Sequence, residues 1–199
     1  MSGAPGAPGP FVLVVCTGNI CRSPIAERVL QAGLDAAAVP GAPRVRVVSA
    51  GTGAVVGHAM EPEAAAAVRA SGASPDGHAA RQVTAADVRD AALVLTATRE
   101  HRSAVVRLAP AAVRRSFTLR EAARIAAARA DDVHGDDPAA RLRSLAEVLV
   151  RSRGAHAVRE AHLDDVVDPF RTDAATWELM ESQLLPAVRA IGLALTPPA

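Results

Sequence analysis

A chain of 199 residues with a formal charge of +1 can bury one substantial core, and its near-neutral balance argues against a nucleic-acid or membrane-surface partner. Half of the residues are apolar, but aromatics make up only 2% and tyrosine is absent, so Ala, Val and Leu must build the core. All 22 basic residues are arginine, in keeping with a GC-rich genome, and the only two cysteines fall in one short loop, which excludes a disulfide framework and points to a reducing cytoplasm.

Met1 to Pro10 is rich in Gly, Ala and Pro and lacks both a basic start and an apolar centre, so residues 1–10 read as a disordered leader, not a signal peptide. Phe11 to Val15 is a short apolar run of the kind that forms a buried parallel strand. Cys16 to Arg22 then makes a loop into a helix through Ile25 to Leu30, with Ser23 placed to cap it and Pro24 suited to its first turn. Val45 to Ser49 alternates as a second strand, and Glu61-Pro62 opens an alanine-rich helix that ends at Gly72. Asp76-Gly77-His78 is a turn, Thr84 starts a short helix, Ala92 to Thr96 is a third strand, and Arg99 to Leu108 a further helix. A fourth strand around Arg114 to Phe117 completes an alternation typical of an open parallel sheet with helices on both faces, an α/β fold.

Beyond Phe117 the pattern turns helical. Thr118 and Glu121 have capping-box spacing for a helix to about Arg129, and Asp131 to Asp137 is an acidic loop. Pro138 starts a helix with Leu142, Leu145 and Leu149 on one face. Arg151 to His162 shows no period. Asp173 begins a long helix with Trp177, Met180, Leu184, Val188 and Ile191 aligned, which Pro186 is expected to kink.

The chemistry concentrates in the first loop. Backbone N–H groups converging at a helix N-terminus form an anion cradle, at the carboxyl end of a strand where ligands bind in open α/β sheets. Those dipoles, Arg22 and the Ser23 hydroxyl favour the thiolate of Cys16; cysteines so placed have pKa values of roughly 3.5 to 7.5. The same dipoles bind a phosphate dianion, and Arg22 can grip two of its oxygens. Gly18 and Asn19 tolerate the left-handed backbone that a tight cradle needs. The loop has no lysine, so it is not a nucleotide-binding Walker sequence. Displacement at phosphorus calls for a proton donor opposite the nucleophile. Asp168-Pro169 is a candidate, with Asp136, Asp137, Asp164 and Asp165 competing. The histidines lack metal-ligand spacing, so no metal site is expected.

Cys16-Thr17-Gly18-Asn19-Ile20-Cys21-Arg22-Ser23-Pro24 resembles the signature loop of the low-molecular-weight protein tyrosine phosphatases. The resemblance implies Cys16, Arg22 and Asp168 as catalytic residues, the last because these phosphatases carry their acid in an Asp-Pro step followed by an aromatic, here Phe170. It implies Thr17, Gly18, Asn19, Ile20, Cys21, Ser23 and Phe170 as substrate-binding residues. Ser49-Ala50-Gly51-Thr52 and Gly77-His78 resemble the segments whose serine and histidine support the loop through Asn19. Cys21 reads either as a packed neighbour or as a partner that protects Cys16 by a reversible disulfide. Residues 11–199 are then one phosphatase domain, with residues of about 118–165 a helical insertion before the acid loop. The implied reaction is hydrolysis of protein phosphotyrosine, with no cofactor and a monomer as the default state.

Departures from the family pattern thin the substrate walls. Val55 and Val56 stand where relatives commonly have a large aromatic, Arg171 follows Phe170, and Thr96-Ala97-Thr98 replaces a Met-Asp pair. Ile20 leans towards phosphotyrosine, since relatives acting on phosphoarginine tend to carry threonine there, and Arg171 would attract acidic residues flanking a phosphosite. Two other readings are an arsenate reductase using a small-thiol reductant and a phosphoprotein-binding module without turnover.

Overall fold

A computed structural model describes residues 9–198; the first eight residues of the expected leader lie outside them. Its strands are β1 (Phe11–Cys16), β2 (Arg46–Gly51), β3 (Leu93–Thr96) and β4 (Ser116–Thr118), and its helices α1 (Arg22–Ala36), α2 (Pro62–Ala70), α3 (Ala85–Asp90), α4 (Arg99–Leu108), α5 (Leu119–Ala128), α6 (Pro138–Ser152) and α7 (Ala174–Leu195). The strands form one parallel sheet in the order β2-β1-β3-β4.

β1 runs beside β2 from Phe11↔Arg46 to Cys16↔Gly51 and beside β3 from Val12↔Leu93 to Val15↔Thr96. Its unbroken apolar run follows from burial on both faces. Val12 and Val14 enter one core with side chains of α1, α2, α5, α6 and α7, while Leu13 and Val15 enter the other with Val88 of α3 and Val105 of α4. The chain leaves β1 towards β2 on one side and returns to β3 on the other. The carboxyl end of β1 is therefore the switch point of the sheet, and Cys16 is its last residue.

Local signals fix most helix starts. Thr118 and Glu121 form a reciprocal capping box, and Asp173 accepts from the backbone of Thr176 at the start of α7. One expectation changes. α1 begins at Arg22 with no side-chain cap, because the Ser23 hydroxyl turns instead to Cys16 and Asn19. α7 runs from Ala174 to Leu195 with Pro186 inside it, at an exposed position.

Candidate active site

The loop after β1 is shaped from outside. Thr52 N donates to Cys16 O at 2.9 Å, Gly53 N to Thr17 O at 3.1 Å, Val55 N to Gly18 O at 3.0 Å, and Glu61 N to Ile20 O at 3.0 Å. His78 Nε2 lies 2.7 Å from Asn19 O, and Cys21 O takes the first bond of α1 from Ile25 N at 3.2 Å. Six consecutive carbonyls are thus drawn outwards. Because each peptide is planar and trans, the N–H groups of Thr17 to Arg22 point the opposite way, into a common nest. Cys16 Sγ lies at its base, with only 2% of the residue exposed.

Asn19 holds the turn open. Its φ of 57° is left-handed, as its residue type allows, whereas Gly18 has no positive φ. Gly18 is needed for space instead: a Cβ there would approach Ile20 Cγ1 to 3.2 Å. The Asn19 amide is oriented by Arg81 N, which donates to Oδ1 at 2.9 Å, so Nδ2 must face Ser23 Oγ at 3.0 Å and Ser49 Oγ at 2.7 Å. Ser49 passes its own hydrogen to Glu27 Oε2 at 2.5 Å. Since Ser23 accepts from Asn19, its hydrogen is free for Cys16 Sγ, 3.0 Å away, in preference to Ala50 O at 3.5 Å.

Arg22 is the other wall. Its Nη1 donates to Val166 O at 3.2 Å, its Nη2 pairs with Asp168 Oδ2 at 2.5 Å, and its Nε is buried without a partner among the described residues. The other Asp168 oxygen accepts from Phe170 N at 3.2 Å in a local turn. Asp168 is about half exposed beside a buried arginine, at the mouth of a cleft of about 560 Å³ lined by Thr17, Arg22, Thr52, His101, Arg107 and Asp168. Asp164 and Asp165 are already committed, to Arg124 and Arg99 respectively.

The remaining residues expected to bind substrate sit differently. Ile20 and Cys21 offer backbone N–H groups to the nest, but their side chains pack away with Ala80 against Val55 and Trp177. Burial, and then the neighbouring Cys16 and Glu61, push the Cys21 thiol up to about 12, so it stays protonated at neutral pH. Both cysteines are free. Phe170 is 40% exposed, with the Arg171 guanidinium 5.0 Å from its ring centre.

Sequence reasoning missed His101. Its Nε2 lies 2.9 Å from Thr17 Oγ1 and its Nδ1 2.7 Å from Thr98 Oγ1, the cap of α4. Burial, and then Arg22, lower its pKa to about 4, against the pull of Asp168 and Asp165, so the ring is neutral at neutral pH. The Thr98-x-x-His101 spacing at the end of β3 was the available signal, because it places an imidazole in the first turn of a helix on the same rim of the sheet as Cys16.

A family model described as low molecular weight phosphotyrosine protein phosphatase matches residues 11–151. The chain belongs to this family. The low molecular weight protein-tyrosine-phosphatase Etp of Escherichia coli K12 is 43% identical over 99 residues, 50% of this chain and 62% of Etp. The corresponding Wzb of Salmonella typhi is 41% identical over 99 residues, 50% of this chain and 61% of its own. The matched stretch therefore spans less than two thirds of these relatives. The crystal structure of the Erwinia amylovora tyrosine phosphatase AmsI is similar over 93% of this chain and 92% of its own, with a TM-score of 0.63 and 25% identity. The YwlE arginine phosphatase from Geobacillus stearothermophilus shares the fold at 22% identity, with a TM-score of 0.62 over 92% of this chain and 90% of its own.

Proposed function

We propose that this member of the family is a cysteine-dependent phosphatase acting on phosphotyrosine in proteins. The observation that carries the reading is the convergence of the loop N–H groups over Cys16, with the Ser23 hydroxyl on its sulfur and the guanidinium of Arg22 alongside. A phosphoryl group seated there has its three equatorial oxygens among the N–H groups and the Arg22 fork. Its oxygens take over Arg22 Nε and Nη2, which releases Asp168 from its ion pair towards the leaving oxygen. Once parted from Arg22, the Asp168 carboxylate takes up a proton from solvent; the Cys16 thiolate then forms the S–P bond as the P–O bond to tyrosine breaks, and Asp168 passes that proton to the departing phenolate. In the second step Asp168 takes a proton from water as the water attacks phosphorus. The S–P bond breaks, phosphate leaves, and Ser23 donates a hydrogen bond to the returning thiolate.

Ile20, buried beside Val55 and Trp177, favours phosphotyrosine over phosphoarginine in this reading. The test is phosphate release from an aryl phosphate, a phosphotyrosine peptide and a phosphoarginine peptide. Cys16→Ser should abolish turnover, and Asp168→Asn should lower it by about 10²- to 10⁴-fold on the phosphotyrosine peptide. A wild-type chain that binds the phosphotyrosine peptide but releases no phosphate would instead be a binding module, and arsenate-dependent thiol oxidation would mark a reductase.

A further inference from the structure

We propose that Asp165 and Arg99 are positioning residues for the proton transfer: their ion pair roots the acid loop on α4 and so sets where Asp168 lies. The inference rests on the phosphatase reading and names a part of its machinery.

The chain leading to Asp168 is fastened residue by residue. Asp164 Oδ1 accepts from Arg124 Nη1 at 2.7 Å. Asp165 O accepts from Arg120 Nη1 at 3.0 Å, and Val166 N donates to Ala97 O at 2.8 Å. Val166 O accepts from Arg22, and Val167 N donates to Gln183 Oε1 at 2.9 Å. Among the described residues, Asp168 has only its pair with Arg22 and its own local turn. The free part of the loop therefore starts where this row of attachments stops.

The Asp165 carboxylate is the strongest attachment in the row. Oδ1 accepts from Arg99 N at 2.8 Å and from Arg99 Nε at 3.2 Å, and Oδ2 accepts from Arg99 Nη2 at 2.8 Å and again from Nε at 3.2 Å. Arg99 N is one of the donors that the start of α4 cannot satisfy from within, so the carboxylate serves both the helix end and the guanidinium. Burial opposes its charge, but the Arg99 bonds outweigh burial and hold its carboxyl below the usual carboxylate range. A carboxylate whose two oxygens both accept from a guanidinium has no proton to give, so Asp165 acts through Asp168. With Asp165 loosened, the tether of Asp168 rests on the single backbone bonds of Val166 and Val167, so a small shift at the root of the loop is passed on to the carboxylate. A misplacement of about 1 Å can cost about 10²-fold in rate.

The position of an acid matters in proportion to the need for it. A poor leaving group such as tyrosine, with a phenol pKa of about 10, must be protonated as it departs, whereas a nitro-substituted phenolate leaves readily without help. Phosphotyrosine peptide and p-nitrophenyl phosphate are therefore compared on wild type, Asp165→Asn, Arg99→Gln and Arg99→Lys. Arg99 is exposed enough for Arg99→Gln to fold even if Asp165→Asn does not. In Asp165→Asn and Arg99→Gln, kcat/KM on the peptide, which reports the step that expels the leaving group, should fall about tenfold further than on p-nitrophenyl phosphate, and its pH profile should shift or flatten. Arg99→Lys should recover part of the loss. His101→Gln, which touches the phosphate loop, should lower both substrates alike. Equal losses of kcat/KM on both substrates in the Asp165 and Arg99 variants, or no loss, would overturn the proposal. A wild-type chain inactive on both substrates would instead sink the phosphatase reading, and this inference with it.

Discussion

The phosphate loop and the acid loop meet at Arg22 but are built in opposite ways. From Cys16 to Ser23 the working parts are consecutive, and other segments supply the donors and acceptors that hold them. Around Asp168 the working part is one half-exposed side chain, and the precision lies in the residues before it. In the proposed reaction the first arrangement would place a nucleophile and an anion rigidly. The second would let a carboxylate change partner, from Arg22 to a leaving oxygen, on a fixed tether. The difference predicts that damage to the phosphate loop lowers stability and activity together, while damage to the acid loop lowers activity with less loss of stability.

Gly51→Ala puts the largest load on the rigid side. A Cβ at Gly51 would lie 2.2 Å from Thr17 O and 3.1 Å from Ala54 Cα, both backbone atoms, so the loop must move. Because Thr17 directly follows Cys16, the proposed nucleophile, turnover on an aryl phosphate should fall by at least about 10²-fold, as expected for a displacement of about 1 Å. Overpacking should also cost about 1 to 3 kcal/mol in urea unfolding. Near-normal turnover with lowered stability would break the comparison, because the loop would then tolerate displacement.

Asn19→Ala comes next. It removes two donated bonds and the acceptor of Arg81 N, and leaves alanine at a φ of 57°. The left-handed backbone costs roughly 1 to 2 kcal/mol and each buried polar group left unpaired about 1 to 3 kcal/mol, so destabilisation should be about 3 kcal/mol. Ser49→Ala, which removes one of those bonds, should cost about 1 kcal/mol. The two are compared by urea denaturation, with inorganic phosphate inhibition reporting the cradle. Equal losses would mean that Asn19 works through Ser49 alone.

The phosphate loop was legible in the sequence because its strand, turn and helix are contiguous. The unbroken apolar run of β1, the Asn at a left-handed position and the Pro in the first turn of α1 are all local signals. The part that was not legible is the part set by distant segments. Ser23 reads locally as a cap, and only Asn19 and Cys16, brought to it by the turn, redirect its hydroxyl. Gly51 reads as one small residue among several until Thr17 lies across it. Four aspartates competed with Asp168 on sequence alone; Asp164 and Asp165 drop out because Arg124 and Arg99, on other elements, already hold them. Aligned leucines placed α6, but periodicity could not resolve the short helical turns at Gly154–His156 and Ala161–Asp164.

His101 bridges the two regions, and its titration gives an effect smaller than the loss from Asn19→Ala. If Arg22 Nη2, 3.5 Å from Thr17 Oγ1, donates to it, the Thr17 hydrogen goes to Nε2 and the ring proton lies on Nδ1, facing Thr98. Protonating Nε2 would break that chain and place a second cation beside Arg22. The folded-state pKa of about 4 lies below the usual 6.5. Between these values the unfolded chain binds more protons than the native one, so stability rises with pH through that window. The contribution is complete above 6.5 and is lost as pH falls towards 4. At about 1.4 kcal/mol per pKa unit, wild type should lose about 2 kcal/mol more than His101→Gln between pH 7 and pH 4.5. Asp165, depressed from a value already near 3.8, titrates below this window and leaves the difference intact. Parallel stability curves for the two proteins, from urea unfolding across that range, would mean that His101 is not held neutral. The link from α4 to Thr17 would then not depend on the acceptor at Nε2.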